Sequence, residues 1–357
     1  MNAIFPRVRD FMTDRSANRV NPQEAVTMRS RMIPLLVLVL IVLFGANEAS
    51  AVSQAGGIGL QFPVGARYNA MGEAGTALST DITALWWNVG GFAFAADQGE
   101  DHGLHFMYSP LAEGLAEDVS INWIGYGQYV EGWGMLGGSF TYLDQGEQQQ
   151  VFEEGTEGTT FGSYQFAVNV GYGVKMTERL GLGLGVKYLR DELAPAEVTK
   201  DRGAGVGQSW GIDLGLHYKA SDKLSLGLAA TNLGPDITFI DAEQSDPMPR
   251  IFRAGLAYEA FSSATSAITL IYDYLDYFVE GDATKVHGFG AEWGYNNILF
   301  LRAGYKLDDE GDIKDYTAGA GFDLEKWIGR PMTFGYATVP QAEDLDRVNR
   351  FSLNFAF

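Results

Sequence analysis

The chain has 357 residues, with 25 Lys and Arg against 45 Asp and Glu, a formal charge of −20. That surplus of acid excludes the phosphate-neutralising surface of a nucleic-acid binder, and the absence of cysteine excludes disulfide scaffolds, Cys-ligated zinc and thiol catalysis. Forty-five glycines with 11 prolines and 13% aromatics fit many twisted strands rather than a collagen or a disordered tract.

The first element in the chain is a targeting segment. Ile33–Ala46 is a fourteen-residue apolar run preceded by Arg29 and Arg31 and followed by Ala49-Ser50-Ala51. It is shorter than the ~20 residues a membrane-crossing helix needs. Charged start, apolar middle and small-residue end predict a secretory signal peptide cleaved after Ala51, with either Met1 or Met28 as the start. Removing residues 1–51 leaves 19 basic and 41 acidic residues, a net of −22.

Residues 52–102 do not alternate and are rich in small side chains, so they are expected to form a plug within or under the following domain, with a short helix over Ala66–Leu78. Gly65 and Gly72 suit close backbone approach or positive φ, and Asn88 suits a cap or turn. Arg67, the only Lys or Arg between Ala51 and Lys175, is expected to pair with Glu73, Glu259 or Glu292. Trp86, Trp87 and Phe92 either line a hydrophobic passage or pack the plug.

From about residue 103 the dominant period is two. Tyr164, Phe166, Val168, Val170, Tyr172 and Val174 alternate with small or polar residues, as do Leu180–Tyr188 and Trp210–Tyr218. This is the pattern of strands with one apolar face. Fourteen segments are read, near 103–110, 119–130, 132–143, 161–174, 180–190, 208–219, 223–232, 250–259, 265–276, 286–295, 298–307, 314–324, 331–338 and 347–357. Many reach the ~9–11 residues of a tilted membrane strand. Tight turns and long polar loops follow one another in alternation, and the chain ends on an alternating strand with a terminal aromatic, Phe357. The fold class is therefore an all-β, transmembrane antiparallel β-barrel of about 14 strands over residues 103–357. Seven long loops (111–118, 144–163, 190–208, 232–249, 276–285, 308–313, 339–346) carry a summed charge of −22, which places them together on the outer side. Solubility accounts for this charge; bridging of divalent ions to an anionic lipid surface is the sharper alternative. Phe152, Asn232, Pro235, Phe239 and Ile240 stand out in these loops as candidate interface contacts.

No catalytic or metal-binding constellation emerges, and no cofactor is implied. His102 and His105 point to opposite faces of a strand. Asp213 and His217 share a face but lie roughly 13 Å apart along the strand. Lys187, Asp213, His217, Arg253, Glu259, Glu292, Arg302 and Asp323 are the polar lining that a barrel interior carries.

Pro63-Val64-Gly65-Ala66-Arg67, then Ala70-Met71-Gly72-Glu73-Ala74 and Thr76-Ala77-Leu78, resemble the opening of the PorV/PorQ-like outer-membrane proteins, within the wider FadL-like group of fourteen-stranded barrels. Asp81, Trp86, Trp87 and Asn88 match further positions, but Val89-Gly90-Gly91 stands where that family has Pro-Ala-Gly. Thr231-Asn232-Leu233-Gly234-Pro235, followed by Pro247-Met248-Pro249-Arg250, resembles the family's Asn-Leu-Gly segment and Pro-led next strand. The resemblance implies an integral outer-membrane protein, non-enzymatic, working in type IX secretion with secreted cargo proteins and a large translocon barrel as partners beside outer-membrane lipid. The FadL-like alternative implies transport of fatty acids or other hydrophobic small molecules, through a pocket beside the plug and an opening at strand seven or eight.

Overall fold

The computed structural model describes residues 55–357 except 112–117, 153–154, 196, 200–204, 240–244, 280–283, 309–312 and 342–344. The targeting segment, both candidate starts and Ile240 lie outside the described residues.

Alternation over ten or so residues produces strands here because each pleat sends an apolar side chain out and a small or polar one in. They are β1 His102–Pro110, β2 Val119–Val130, β3 Gly134–Val151, β4 Glu157–Thr177, β5 Leu180–Glu192, β6 Val206–Lys219, β7 Leu224–Leu233, β8 Ile251–Ser262, β9 Ser266–Tyr277, β10 Lys285–Tyr295, β11 Leu299–Asp308, β12 Ile313–Asp323, β13 Met332–Val339 and β14 Val348–Ala356. Each pairs antiparallel with its predecessor, and β14 pairs with β1 from Gly103↔Ala356 to Tyr108↔Phe351. The sheet is thus a closed, antiparallel barrel of fourteen strands.

One face of every strand is apolar and exposed: Leu104, Phe106 and Tyr108 on β1, Val168 and Val170 on β4, Leu184, Val186 and Tyr188 on β5, Leu301 and Tyr305 on β11. An exterior of this kind is stable only against lipid. Short connections close one end. Asn296 and Asn297, both with φ near +54°, make the β10–β11 turn in the mirror-image geometry that fits strand twist. The long loops gather at the other end.

Two features go beyond the sequence expectation. The β3–β4 hairpin runs on to Val151 and back from Glu157, past a register shift between Asp144 and Glu147. Gln145–Gln150 carries no alternation because both of its sides are polar, so periodicity could not detect it. A two-residue ribbon, Ile237–Thr238 with Ser245–Asp246, also lies within the β7–β8 loop.

Residues 55–101 form short turns that pack on the inward face of the wall. The helical pieces are α1 Ala66–Asn69, α2 Ala84–Trp87 and α3 Val89–Phe92, flanked by single 3-10 turns. The helix expected over Ala66–Leu78 stops after one turn. Gly72 (φ +73°) and Glu73 (φ +56°) are left-handed, a conformation that ends a helix. Gly72 also has no room for a side chain: a β-carbon there would lie 2.5 Å from the Phe289 carbonyl oxygen and 2.7 Å from that of Tyr305. Tyr68, Met71, Ile82, Leu85, Trp87 and Phe92 make one apolar core with Met107, Ile121, Trp123 and Met135 of β1–β3.

Candidate functional site

Because the lumen face of each strand carries small residues, the few long polar side chains on it can reach the N-terminal segment. Several hold it by charge. Arg67 donates from Nε and Nη2 to Glu292 at 3.0 and 2.7 Å, and Arg302 donates to the same carboxylate at 2.6 Å. Glu292 and Arg302 are direct partners across β10 and β11. Of the three carboxylates named for Arg67, Glu292 is its partner. Glu73 instead sits between Lys306 (2.9 Å) and Arg350 (3.2 Å); burial opposes its ionisation, but the two cations hold its carboxyl below the ordinary range. Glu259 is half-buried at the short-turn end, where its amide donates to the Lys223 carbonyl.

Asp273, on β9, is a contact to the segment that the sequence reading missed. Its Oδ2 accepts from Gly75 N, Thr76 N and Thr76 Oγ1 at 2.8, 2.8 and 2.6 Å. Asn88 caps α3 by accepting from Gly90 N, and it donates to the carbonyls of Thr76 and Leu216. Trp87 is fully buried and donates to the Val64 carbonyl, with Trp86 edge-on against it at 4.7 Å. Gly65 is left-handed at φ +83°; the Ala66 amide donates to Ser352 Oγ, and Met71 is buried against Gly290 and Gly304.

A second polar cluster seals a bulge in the wall. Between Ile212 and Leu214 the β6–β7 ladder shifts register, because β7 carries one residue more. The extra residue is Asn232, left-handed at φ +61°. It was expected among loop contacts, but its side chain is buried: Nδ2 donates to the Pro249 carbonyl, Oδ1 accepts from Lys187 Nζ, and its amide donates to Asp213. Lys187 and Asp213 pair at 2.9 Å. The αL backbone that asparagine tolerates turns the residue inward.

The remaining predicted residues are dispersed. His217 is buried against Phe94 at 5.2 Å, and its ring nitrogens bond to no group among the described residues; Asp213 is tied to Lys187 instead. Asp323 lies at the rim, where it accepts from the Glu325 amide. Phe152 is exposed, Pro235 is exposed with its carbonyl accepting from Ser209, and Phe239 packs against the cluster of Leu60, Ile237 and Met248. Arg253 is buried over Trp86. Among the described residues no group of three His, Cys, Asp or Glu side chains is placed to hold a metal ion.

At the short-turn mouth a cavity of about 210 Å³ is lined by Arg67, Asp81, Glu100, His105 and Arg302, among others. Glu100 accepts there from Ile82 N and Asn354 Nδ2. Burial, then the nearby Asp81, push its carboxyl up to about 7. An acid whose folded value lies above its ordinary 4.5 favours the folded state at low pH, and that contribution is lost as pH rises through about 7. Opening of the Ile82 amide, followed by hydrogen exchange corrected for intrinsic rate, should therefore be rarer at pH 5.5 than at pH 8. Glu100→Gln should flatten the profile, and an identical slope in both proteins would refute the assignment.

With this geometry established, sequence comparison identifies the relatives. The family model described as type IX secretion system protein PorV matches residues 47–280. The chain belongs to the PorV family. A comparison with curated proteins gives no match. Among solved structures, this PorV-family barrel is similar to the toluene transporter TodX of P. putida (16% identity, TM-score 0.55, 82% of this chain and 96% of that one). It is also similar to the toluene transporter TbuX of Ralstonia pickettii (14% identity, TM-score 0.53, 82% and 98%). At such identities the likeness is one of fold. The matched family is described by its role in secretion, and the two similar barrels are described as toluene transporters.

Proposed function

We propose that this chain is a non-enzymatic outer-membrane component of type IX protein export that receives exported cargo and passes it on. The observation that carries the reading is the family match over residues 47–280. The structure is compatible with it in a particular way. The segment 55–101, proposed to act as a hatch, is bound to the wall by Glu292, Glu73 and Asp273, so cargo would be handled on the long-loop surface rather than in the lumen. The end of the β3–β4 hairpin, with Val151 and Phe152 exposed, is the proposed contact.

The test is extraction of the barrel from its native membrane in mild detergent, with identification of what remains bound. Recovery of a large translocon barrel, or of exported proteins sharing a C-terminal domain, is the expected result. Recovery of the barrel with bound lipid or fatty acid alone would overturn it. The second reading is a conduit for hydrophobic molecules. It is favoured by the β6–β7 ladder break at Asn232, beside the end of β7, where the regular pairing of the wall is interrupted.

A further inference from the structure

The cavity at the short-turn mouth brings together two groups of charge, and neither is neutral in itself. The first is basic. Arg67 of α1 and Arg302 of β11 are both bonded to Glu292, and two guanidiniums on one carboxylate leave positive charge in surplus. Glu292 takes Nε and Nη2 of Arg67 but only Nε of Arg302. Among the described residues, Nη1 of Arg67 and both Nη groups of Arg302 therefore keep N–H groups with no protein acceptor. The Arg67 side chain is 36% exposed, so its guanidinium can be reached from the mouth.

The second group is acidic. Asp81 accepts from Tyr68 Oη at 2.7 Å, from Thr83 N at 2.8 Å and from Thr83 Oγ1. Glu100 accepts from Ile82 N at 2.9 Å and from Asn354 Nδ2 on β14. Every one of these donors is neutral, and among the described residues no cation forms an ion pair with either carboxylate. Neutral donors satisfy the oxygens without removing the charge, so the two acids still repel each other. Burial, then Asp81, push the Glu100 carboxyl up, and a cation between the two acids would offset both effects. A metal ion does not suit the place, since among the described residues no three His, Asp or Glu side chains are set to ligate one. An ammonium does, because its rotatable donors need no fixed coordination geometry.

We propose that this cavity binds a small zwitterion, with its ammonium between Asp81 and Glu100 and its oxyanion on the free N–H groups of Arg67 and Arg302. Both contacts are charge-assisted, and a volume of about 210 Å³ admits a molecule the size of an amino acid. A lone anion would answer the guanidiniums and leave the acids in repulsion. A lone cation would do the reverse. A free amino acid and the ethanolamine headgroup of a phospholipid share the required chemistry. The site goes beyond the protein-export reading and does not rest on it.

The experiment compares alanine, phosphoethanolamine, propionate and ethylamine as ligands of the purified protein in an uncharged maltoside detergent, by calorimetry and saturation-transfer NMR. Propionate and ethylamine each lack one of the two charges. One of the zwitterions is expected to bind about tenfold or more tightly than either of them. The tighter zwitterion names the source, a free amino acid for alanine or a lipid headgroup for phosphoethanolamine. Asp81→Asn should weaken the zwitterions and ethylamine and spare propionate, whereas Arg67→Met should weaken the zwitterions and propionate and spare ethylamine. A misfolded variant loses every ligand at once and cannot imitate this crossed pattern, and the wild-type comparison needs no variant. Zwitterions that bind no more tightly than propionate or ethylamine, or variants that pass the heat-dependent gel shift of folded barrels yet weaken every ligand alike, would overturn the proposal. Asp81 and Glu100 would then be left to share a proton.

Discussion

Gly72→Ala is expected to unseat the N-terminal segment while leaving the strands paired. The left-handed backbone at Gly72 (φ +73°) penalises any β-carbon, and the methyl would meet the carbonyl oxygens of Phe289 and Tyr305, fixed in the β10–β11 ladder. Backbone cannot swing aside as a side chain can, so the strain falls on the segment. Together these terms amount to roughly 2–4 kcal/mol. Limited proteolysis should cut within residues 62–83 in the variant under conditions that leave the wild type intact, and the heat-dependent gel shift of the barrel should survive. Equal protease resistance would show that the segment is held elsewhere.

Glu292→Gln should have the second large effect. The substitution leaves Arg302, buried on β11, and the partly exposed Arg67 without the carboxylate they share. Removing one member of a buried ionic group costs about 3–5 kcal/mol when the remaining charges stay desolvated. The exposure of Arg67 reduces this toward the lower figure, because water can answer part of its charge. Arg67→Met should be milder, since Glu292 keeps Arg302. Thermal unfolding of the three proteins in the same detergent checks the order, which is wild type above Arg67→Met above Glu292→Gln. An inverted order would mean that the group is not the anchor described.

The wall of the barrel was legible because lipid and lumen impose opposite demands on successive residues. Each of Leu184, Val186 and Tyr188 had to be apolar outward, and Gly183, Gly185 and Lys187 had to be small or polar inward. The β3–β4 hairpin beyond Asp144 was not legible, since water on both sides imposes no alternation. The N-terminal segment was read less well for a different reason. Its short turns are set by left-handed residues and by partners more than 150 residues away, such as Asp273 for Thr76, and neither leaves a local period. Asp273 could have been found: within Tyr272-Asp273-Tyr274 it falls on the inward, non-aromatic register. Arg350 and Lys306 fall on the same register of their strands. Asn232 was misassigned because an asparagine beside Leu-Gly-Pro reads as the start of a loop, whereas its tolerance of positive φ lets it form a bulge and turn inward.

The meeting of the two chain ends has a consequence for biogenesis. The segment 55–101 leads directly into β1, and the last strand seals against that same β1, with the Phe357 amide donating to the His102 carbonyl. Groups that grip the segment, Asp273, Glu292, Lys306 and Arg350, come from β9 to β14. Synthesis therefore delivers the occupant first and its enclosure last. The apolar side chains of the segment can meet β1–β3 early, but these polar grips must wait for the later strands, and the sealing of β14 to β1 must occur around the segment. A barrel zipped before that docking would be closed and folded on its outside, yet empty within.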